Sequence, residues 1–349
     1  MKNTDNWKKQ LKADPTDWLL EENDPGVRYL ALRDIVEAGE KELADARQKA
    51  YEEGPIATIL DNMNPEGWWV KPGPGYLPKC RSTVWSIILL AQLDGSIQED
   101  ERIDKACSYL LDHALLKGGQ FETRGNPSNI GLCLQGNLLT ALSDLDCKDK
   151  RLGIAYEWMA RRVTGEGLPR KLNDEGFAPN EGVPGPFRYV KYITDPVFGC
   201  RTNDNLSCGW AAVNVAMAFS RLPAGNRTDL IEKAIYINTE FFLSVDSSKA
   251  EFPGHRKGVP DKRWWQFGFP AFGNDVLKIA EALTDLGYGN DPRLANTFDL
   301  IREKQHEDGK WLMEFAVPKN KMWVQFGQEG EQNKWVTLRA LRVLKQVYS

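Results

Sequence analysis

The chain has 349 residues, with 45 Lys and Arg against 49 Asp and Glu, a formal net charge of −4. That balance excludes the net or clustered positive charge by which polyanion binders displace phosphate counterions, so no nucleic-acid partner is expected. At 42% hydrophobic and 27% charged it reads as an ordinary folded globular chain, and apolar runs such as 84–93 fall short of the roughly 20 residues of a membrane span.

The N-terminal residues carry no apolar core or small-residue cleavage site, which points to a cytoplasmic protein. Six cysteines (Cys80, Cys107, Cys133, Cys147, Cys200 and Cys208) in a chain of this length then read as thiols or metal ligands rather than a disulfide framework. The 12 Trp and 30 Gly exceed what a generic core needs, so recurrence at a fixed period is the first thing to seek.

In chain order, residues 7–12 make a short polar helix. Residues 27–36 make an apolar one, started by Asp24-Pro25 with Pro in the first turn, where its missing N–H costs nothing. A polar helix over 43–63 leads to the phrase Gly67-Trp68-Trp69 and an apolar helix over 83–93. The pattern repeats with a polar helix at 103–116, Gly118-Gly119-Gln120-Phe121, and an apolar helix at 130–145. It repeats again with 152–163, the weaker phrase Gly165-Glu166-Gly167-Leu168, and an apolar helix at 206–222. Between these last two lies an insertion rich in Pro and Gly. Then come 230–245, Phe252-Pro253-Gly254 and 275–286, and finally 292–305, Asp308-Gly309-Lys310-Trp311 and 335–347. Adjacent copies are spaced by roughly 50 residues. Trp335, Leu338, Leu341 and Leu344 follow helical spacing. One helix of each pair is apolar nearly all round and the other has a charged face, a pattern met by an inner ring of helices inside an outer ring.

The Gly-aromatic phrases resemble the QW-type repeats of the terpenoid cyclase and protein prenyltransferase superfamily, whose fold is an (α/α)6 toroid. Trp18-Leu19-Leu20-Glu21, the run from Val27 to Asp34, Arg81-Ser82-Thr83-Val84-Trp85, Gly136-Asn137-Leu138-Leu139, Leu286-Gly287-Tyr288-Gly289 and the run from Lys334 to Arg342 are similar to bacterial and archaeal proteins described as squalene cyclase-like or prenyltransferase-like. The resemblance implies an all-α (α/α)6 toroid over 1–349, a single domain, with 165–205 as an insertion loop over the mouth of a central cavity.

The same resemblance implies two chemistries. Class II cyclases protonate an alkene from a DxDD motif, which is absent here; Asp144-Leu145-Asp146-Cys147 lies past the end of an inner helix, where water solvates it. Asp275 opens an inner helix and is the better acid, with an N-cap role as the competing reading; Asp204, and His255 in the loop entering that helix, complete the catalytic candidates. Prenyltransferases hold zinc near inner-helix starts. Cys133, Cys200 and Cys208 are the candidate ligands, although the Asp-x-Cys string of that family is missing.

Trp85, Trp210, Trp264, Trp265, Phe267, Trp323 and Trp335 are expected to line an aromatic cavity, with Arg81, Arg201 and Arg256 as anion holders and Tyr189 in the insertion facing the same mouth. Aromatic faces serve polyprenyl chains, cationic intermediates and sugars alike. A small hydrophobic or isoprenoid substrate is therefore the first reading, with a polysaccharide lyase-like enzyme and a non-catalytic ligand-binding module as alternatives.

Overall fold

The computed structural model describes residues 6–125, 131–166, 198–200, 203, 206–252 and 262–349. In chain order its α-helices are α1 (Thr16–Leu19), α2 (Pro25–Ala31), α3 (Glu40–Glu52), α4 (Pro55–Asp61), α5 (Thr83–Gln92), α6 (Glu101–Ala114), α7 (Leu132–Asp144), α8 (Arg151–Thr164), α9 (Gly209–Ser220), α10 (Asp229–Leu243), α11 (Val276–Leu283), α12 (Ala295–Glu303) and α13 (Lys334–Tyr348). Among the described residues β-structure is limited to isolated bridges such as Gly199 with Ser207. The segment 165–205, expected as a loop over a cavity, lies mostly outside the described residues, as do Asp204, His255, Tyr189, Arg201 and Arg256.

The alternation of polar and apolar helices is present nearly where the periodicity puts it. One expected helix, 43–63, is broken in two at Gly54-Pro55. Proline has no N–H for the ladder and its ring clashes with the preceding turn, so α3 ends and α4 starts with Pro55 in its first turn. Helix starts are set by side-chain caps: Asp24, Asp100, Thr228, Asp275 and Asn333 each accept a backbone N–H of the first turn.

The chain divides into two units, Met1–Asn62 with Asp246–Ala250 and Lys262–Ser349, and Met63–Val245 with Glu251–Asp261. In the second, the apolar helices α5, α7 and α9 pack side by side and α6, α8 and α10 cover them. The α7–α9 contact is the closest of these. A Cβ on Gly136 would stand 2.4 Å from the carbonyl oxygen of Asn214, so the two backbones meet only because position 136 has no side chain. Gly136→Ala is expected to destabilise the protein by about 1–3 kcal/mol, as overpacking does; a urea midpoint unchanged from wild type would show that the helices separate without cost.

The Gly-aromatic phrases have one structural job. Gly67, Gly119 and Gly309 adopt φ of 99°, 89° and 87°, in the left-handed region that side chains avoid. Each packs on backbone: a Cβ would lie 2.8 Å from the Lys105 oxygen, 2.5 Å from that of Ile154 and 2.4 Å from that of Ala13. The aromatic that follows, Trp69, Phe121 or Trp311, is buried. Its backbone N–H donates to a side chain of the next apolar helix: Thr83 at 3.1 Å, Gln135 at 2.9 Å and Thr337 at 3.0 Å. Sequence repeat and hydrogen-bond repeat coincide, so these rings clamp helices together.

In the first unit, α13 packs on α2 and α11, while α3 and α12 flank α2 and α11 respectively. No helix among the described residues is long and apolar enough to cross a membrane.

Candidate functional site

The starts of α2, α11 and α13 carry the chemistry of the first unit. Asp275 caps α11, its Oδ1 accepting the Lys278 N–H at 2.7 Å. The same carboxylate takes the Arg339 guanidinium at 3.0 and 3.2 Å, and Arg339 also donates to the Gly268 carbonyl at 2.8 Å. Both side chains are under a tenth exposed. Burial opposes the charge on Arg339, and Asp275 beside it lifts the guanidinium pKa above its ordinary value. Both Asp275 oxygens are therefore acceptors of strong donors, which is the capping reading of this residue joined to a buried ion pair. The hollow beside it has about 20 Å³, room for one water.

Asp24 has a different setting. Its Oδ1 accepts the Val27 N–H at 3.1 Å as the cap of α2, and its side chain is hydrogen-bonded to Trp335, at the start of α13. Burial pushes the Asp24 carboxyl above the usual carboxylate range, against the pull of the Val27 N–H and of Lys334 nearby. It opens on a hollow of about 260 Å³ lined by Asn23, Glu53, Thr58, Gln325, Phe326 and Trp335 among others. Glu53 is exposed at its rim because Gly54-Pro55 ends α3 there. Asn333 fixes the opposite wall by donating to the Phe326 carbonyl at 2.7 Å while capping α13. Lys334 is held over the rim by Glu21 at 2.9 Å and Asn23 at 2.6 Å and lies 5.6 Å from the Trp18 ring centre.

A raised carboxyl pKa stabilises the fold in its neutral form. The contribution of Asp24 is complete below the unfolded-state value of about 3.9 and is lost as pH rises through its elevated folded value. Asp24→Asn keeps a capping side chain and cannot ionise. Thermal melts should therefore show its stability gaining on wild type from strongly acidic to neutral pH, and a constant difference would contradict the burial of this carboxyl.

The expected aromatic cavity wall is only partly found. Trp335 stacks on Phe269 at 4.6 Å, and Phe326 meets both edge-on at 4.9 and 5.4 Å, so these rings spend their faces on one another. Trp264 and Phe267 are fully buried, and Phe267 also stands in the wall of a hollow of about 390 Å³ with Lys304, Gln305, Trp311 and Glu314. The Phe267 N–H donates to Glu314 at 2.9 Å and its ring lies under the Lys304 ammonium at 5.0 Å. Trp265 is tied by its indole N–H to the Ser248 carbonyl at 2.8 Å, and Trp323 is half-buried in the loop before Phe326. In the second unit, Trp85 donates to the Tyr76 carbonyl at 2.8 Å; Arg81 and Trp210 are half-buried near the starts of α5 and α9.

The three candidate zinc ligands do come near one another in that unit. The Cys200 and Cys208 thiols are hydrogen-bonded, brought together by the Cys200 N–H to Leu206 and the Cys208 N–H to Phe198 at 3.0 and 2.8 Å, and Cys133 is close enough to feel their charge. The Cys200 hydrogen bond and burial raise the Cys208 pKa, and surrounding protein with Cys200 raises that of Cys133, although solvent reaches it. Among the described residues no group of three or more His, Cys, Asp and Glu is arranged to hold a metal.

Sequence reasoning missed Asp24 and Glu53. Asp24 was legible as a helix start, but nothing local signals that it is buried against a tryptophan more than three hundred positions away in sequence.

No protein-family model matches the sequence, and no curated protein matches it. Among solved structures, a glycosyl hydrolase of family 88 from Bacteroides vulgatus is similar over 99% of this chain and 99% of its own, at 10% identity and a TM-score of 0.50. A type II terpene cyclase from Scytonema is similar over 87% of this chain and 97% of its own, at 14% identity and a TM-score of 0.30. At such identities the likeness is one of fold, and the fold is that of the all-helical α/α toroids.

Proposed function

We propose that this protein binds a sugar unit in the hollow between the starts of α2 and α13 and cleaves its glycosidic bond, with Asp24 giving a proton to the leaving oxygen. The observation that carries this reading is the Asp24 carboxyl, kept neutral to higher pH by burial at the edge of a hollow whose other polar groups are hydrogen-bonding side chains. Glycoside cleavage uses two carboxyl groups, one with a raised pKa as acid and a second as base or nucleophile. Glu53, at the exposed rim of the same hollow, takes the second role. Asn23, Thr58 and Gln325 offer donors and acceptors to hydroxyl groups, and Pro25, Pro55 and Val324 supply an apolar wall for the C–H face of a sugar ring, with Phe326 and Trp335, whose faces pack on one another and on Phe269, closing one end. At about 260 Å³ the hollow suits one ring rather than a polymer, being near the small end of ligand pockets.

An isoprenoid chain asks for a dry, apolar tunnel and exposed aromatic faces. Here the three rings pack on one another and half the lining is polar, which favours the sugar. The fold supports the reading as well, since the glycosyl hydrolase of family 88 shares it over nearly all of both chains, but a fold hosts many activities and it is the Asp24 hollow that points to this one.

The test is a tryptophan-fluorescence titration with a panel of neutral, amino and uronic monosaccharides and disaccharides, with farnesyl diphosphate alongside. A saturable response to at least one saccharide, weakened in Glu53→Ala, is expected. A response to farnesyl diphosphate alone, or to nothing, would overturn the reading.

A further inference from the structure

We propose that Cys147 and Cys107 form a reactive dithiol, a modification site at which Cys147 attacks a low-molecular-weight disulfide and Cys107 resolves the adduct. Neither residue belongs to the site described above. Cys107 lies in α6 and is 1% exposed, whereas Cys147 sits in the link between α7 and α8 and is half-buried. Their thiols are hydrogen-bonded to each other. One sulfur is thus open to a small reagent and the other waits behind it, the arrangement a nucleophilic and a resolving cysteine require.

The link is held so that this contact persists. Asp146 adopts φ 64° just past the end of α7, and the Cys147 N–H then donates to the Leu142 carbonyl at 3.0 Å, closing the helix terminus. The Asp146 carboxylate accepts the Ser96 hydroxyl at 2.8 Å, and Asp149 accepts the Arg151 N–H at 2.8 Å at the entry to α8. The Cys147 sulfur receives hydrogen bonds from the Cys107 thiol and from the Asp149 N–H. Together they hold its pKa down to about 7 despite burial and the nearby Asp104 and Asp149 carboxylates. The Cys107 thiol, buried and hydrogen-bonded to Cys147, is raised.

The chemistry is thiol–disulfide exchange. The Cys147 thiolate attacks one sulfur of R–S–S–R, forming a Cys147–S–S–R bond and releasing R–S⁻, which takes a proton from water. Cys107 gives up its proton to solvent, and its sulfur attacks that of Cys147, expelling the second R–S⁻. Two protein thiols are oxidised to one disulfide and one small disulfide is reduced to two thiols. The product joins α6 to the α7–α8 link.

The experiment uses the whole reduced protein and oxidised glutathione, read by intact mass and peptide mapping. The expected product is lighter by two hydrogens, with the Cys107 and Cys147 peptides linked. Cys107→Ser should instead keep one glutathionyl group on Cys147. A stable glutathionyl adduct on wild-type Cys147, or reaction confined to other cysteines, would overturn the proposal. A second readout needs no variant: the rate at which iodoacetamide alkylates Cys147 should rise with pH around a midpoint near 7, and a midpoint at or above the roughly 8.5 of an ordinary thiol would overturn it as well.

Discussion

Arg339→Met should cost about 3–5 kcal/mol of stability, the largest effect of any single substitution considered for this chain. The guanidinium is 7% exposed and makes three hydrogen bonds, two to Asp275 and one to the Gly268 carbonyl. Methionine fills much of the same volume but leaves the Asp275 carboxylate buried beside an apolar thioether and the Gly268 oxygen without its donor. Most of the loss comes from that stranded charge, so adding Asp275→Asn in the same chain should recover a large share, because an asparagine still caps α11 and carries no charge. Urea unfolding of the two variants decides. A single variant within 1 kcal/mol of wild type, or a double variant no better than the single, would show that the pair is not buried as described.

Asp24→Asn should lower glycoside cleavage by about 10²- to 10⁴-fold, the range for loss of a general acid. The loss should depend on the leaving group. A disaccharide leaves as a poorly acidic alcohol and needs the proton, whereas a nitrophenyl glycoside leaves as a stable phenolate and needs it far less. The variant should therefore be crippled on the first and closer to wild type on the second. Binding should survive, since the cap on α2 and the polar lining stay in place.

How far these features were readable from the chain depends on the range of the interactions behind them. Helices such as α6, α7 and α13 stand within a few residues of where hydrophobic period and capping residues put them, because both signals are local. The Gly-aromatic phrases were visible as a repeat, and the hydrogen bonds from Trp69, Phe121 and Trp311 to Thr83, Gln135 and Thr337 explain why they recur. The site was less legible. Asp275 was singled out as the residue opening an apolar helix, yet its partner Arg339 is 64 positions away and reads in sequence as one more charge on an amphipathic helix. Glu53 falls inside a continuous polar helix by period, and only the break at Gly54-Pro55 puts it on a rim. Trp264 and Phe267 read as cavity lining because loop aromatics resemble ligand platforms, whereas how deeply each is buried is a property of the folded chain.

The most direct test of the central claim is the rate of disaccharide cleavage by wild type and Asp24→Asn, with a nitrophenyl glycoside of the same sugar measured in parallel. The account predicts cleavage by wild type, a loss of about 10²-fold or more in the variant on the disaccharide, and a clearly smaller loss on the nitrophenyl glycoside. Equal losses on both substrates, or cleavage that survives without the Asp24 proton, would contradict it.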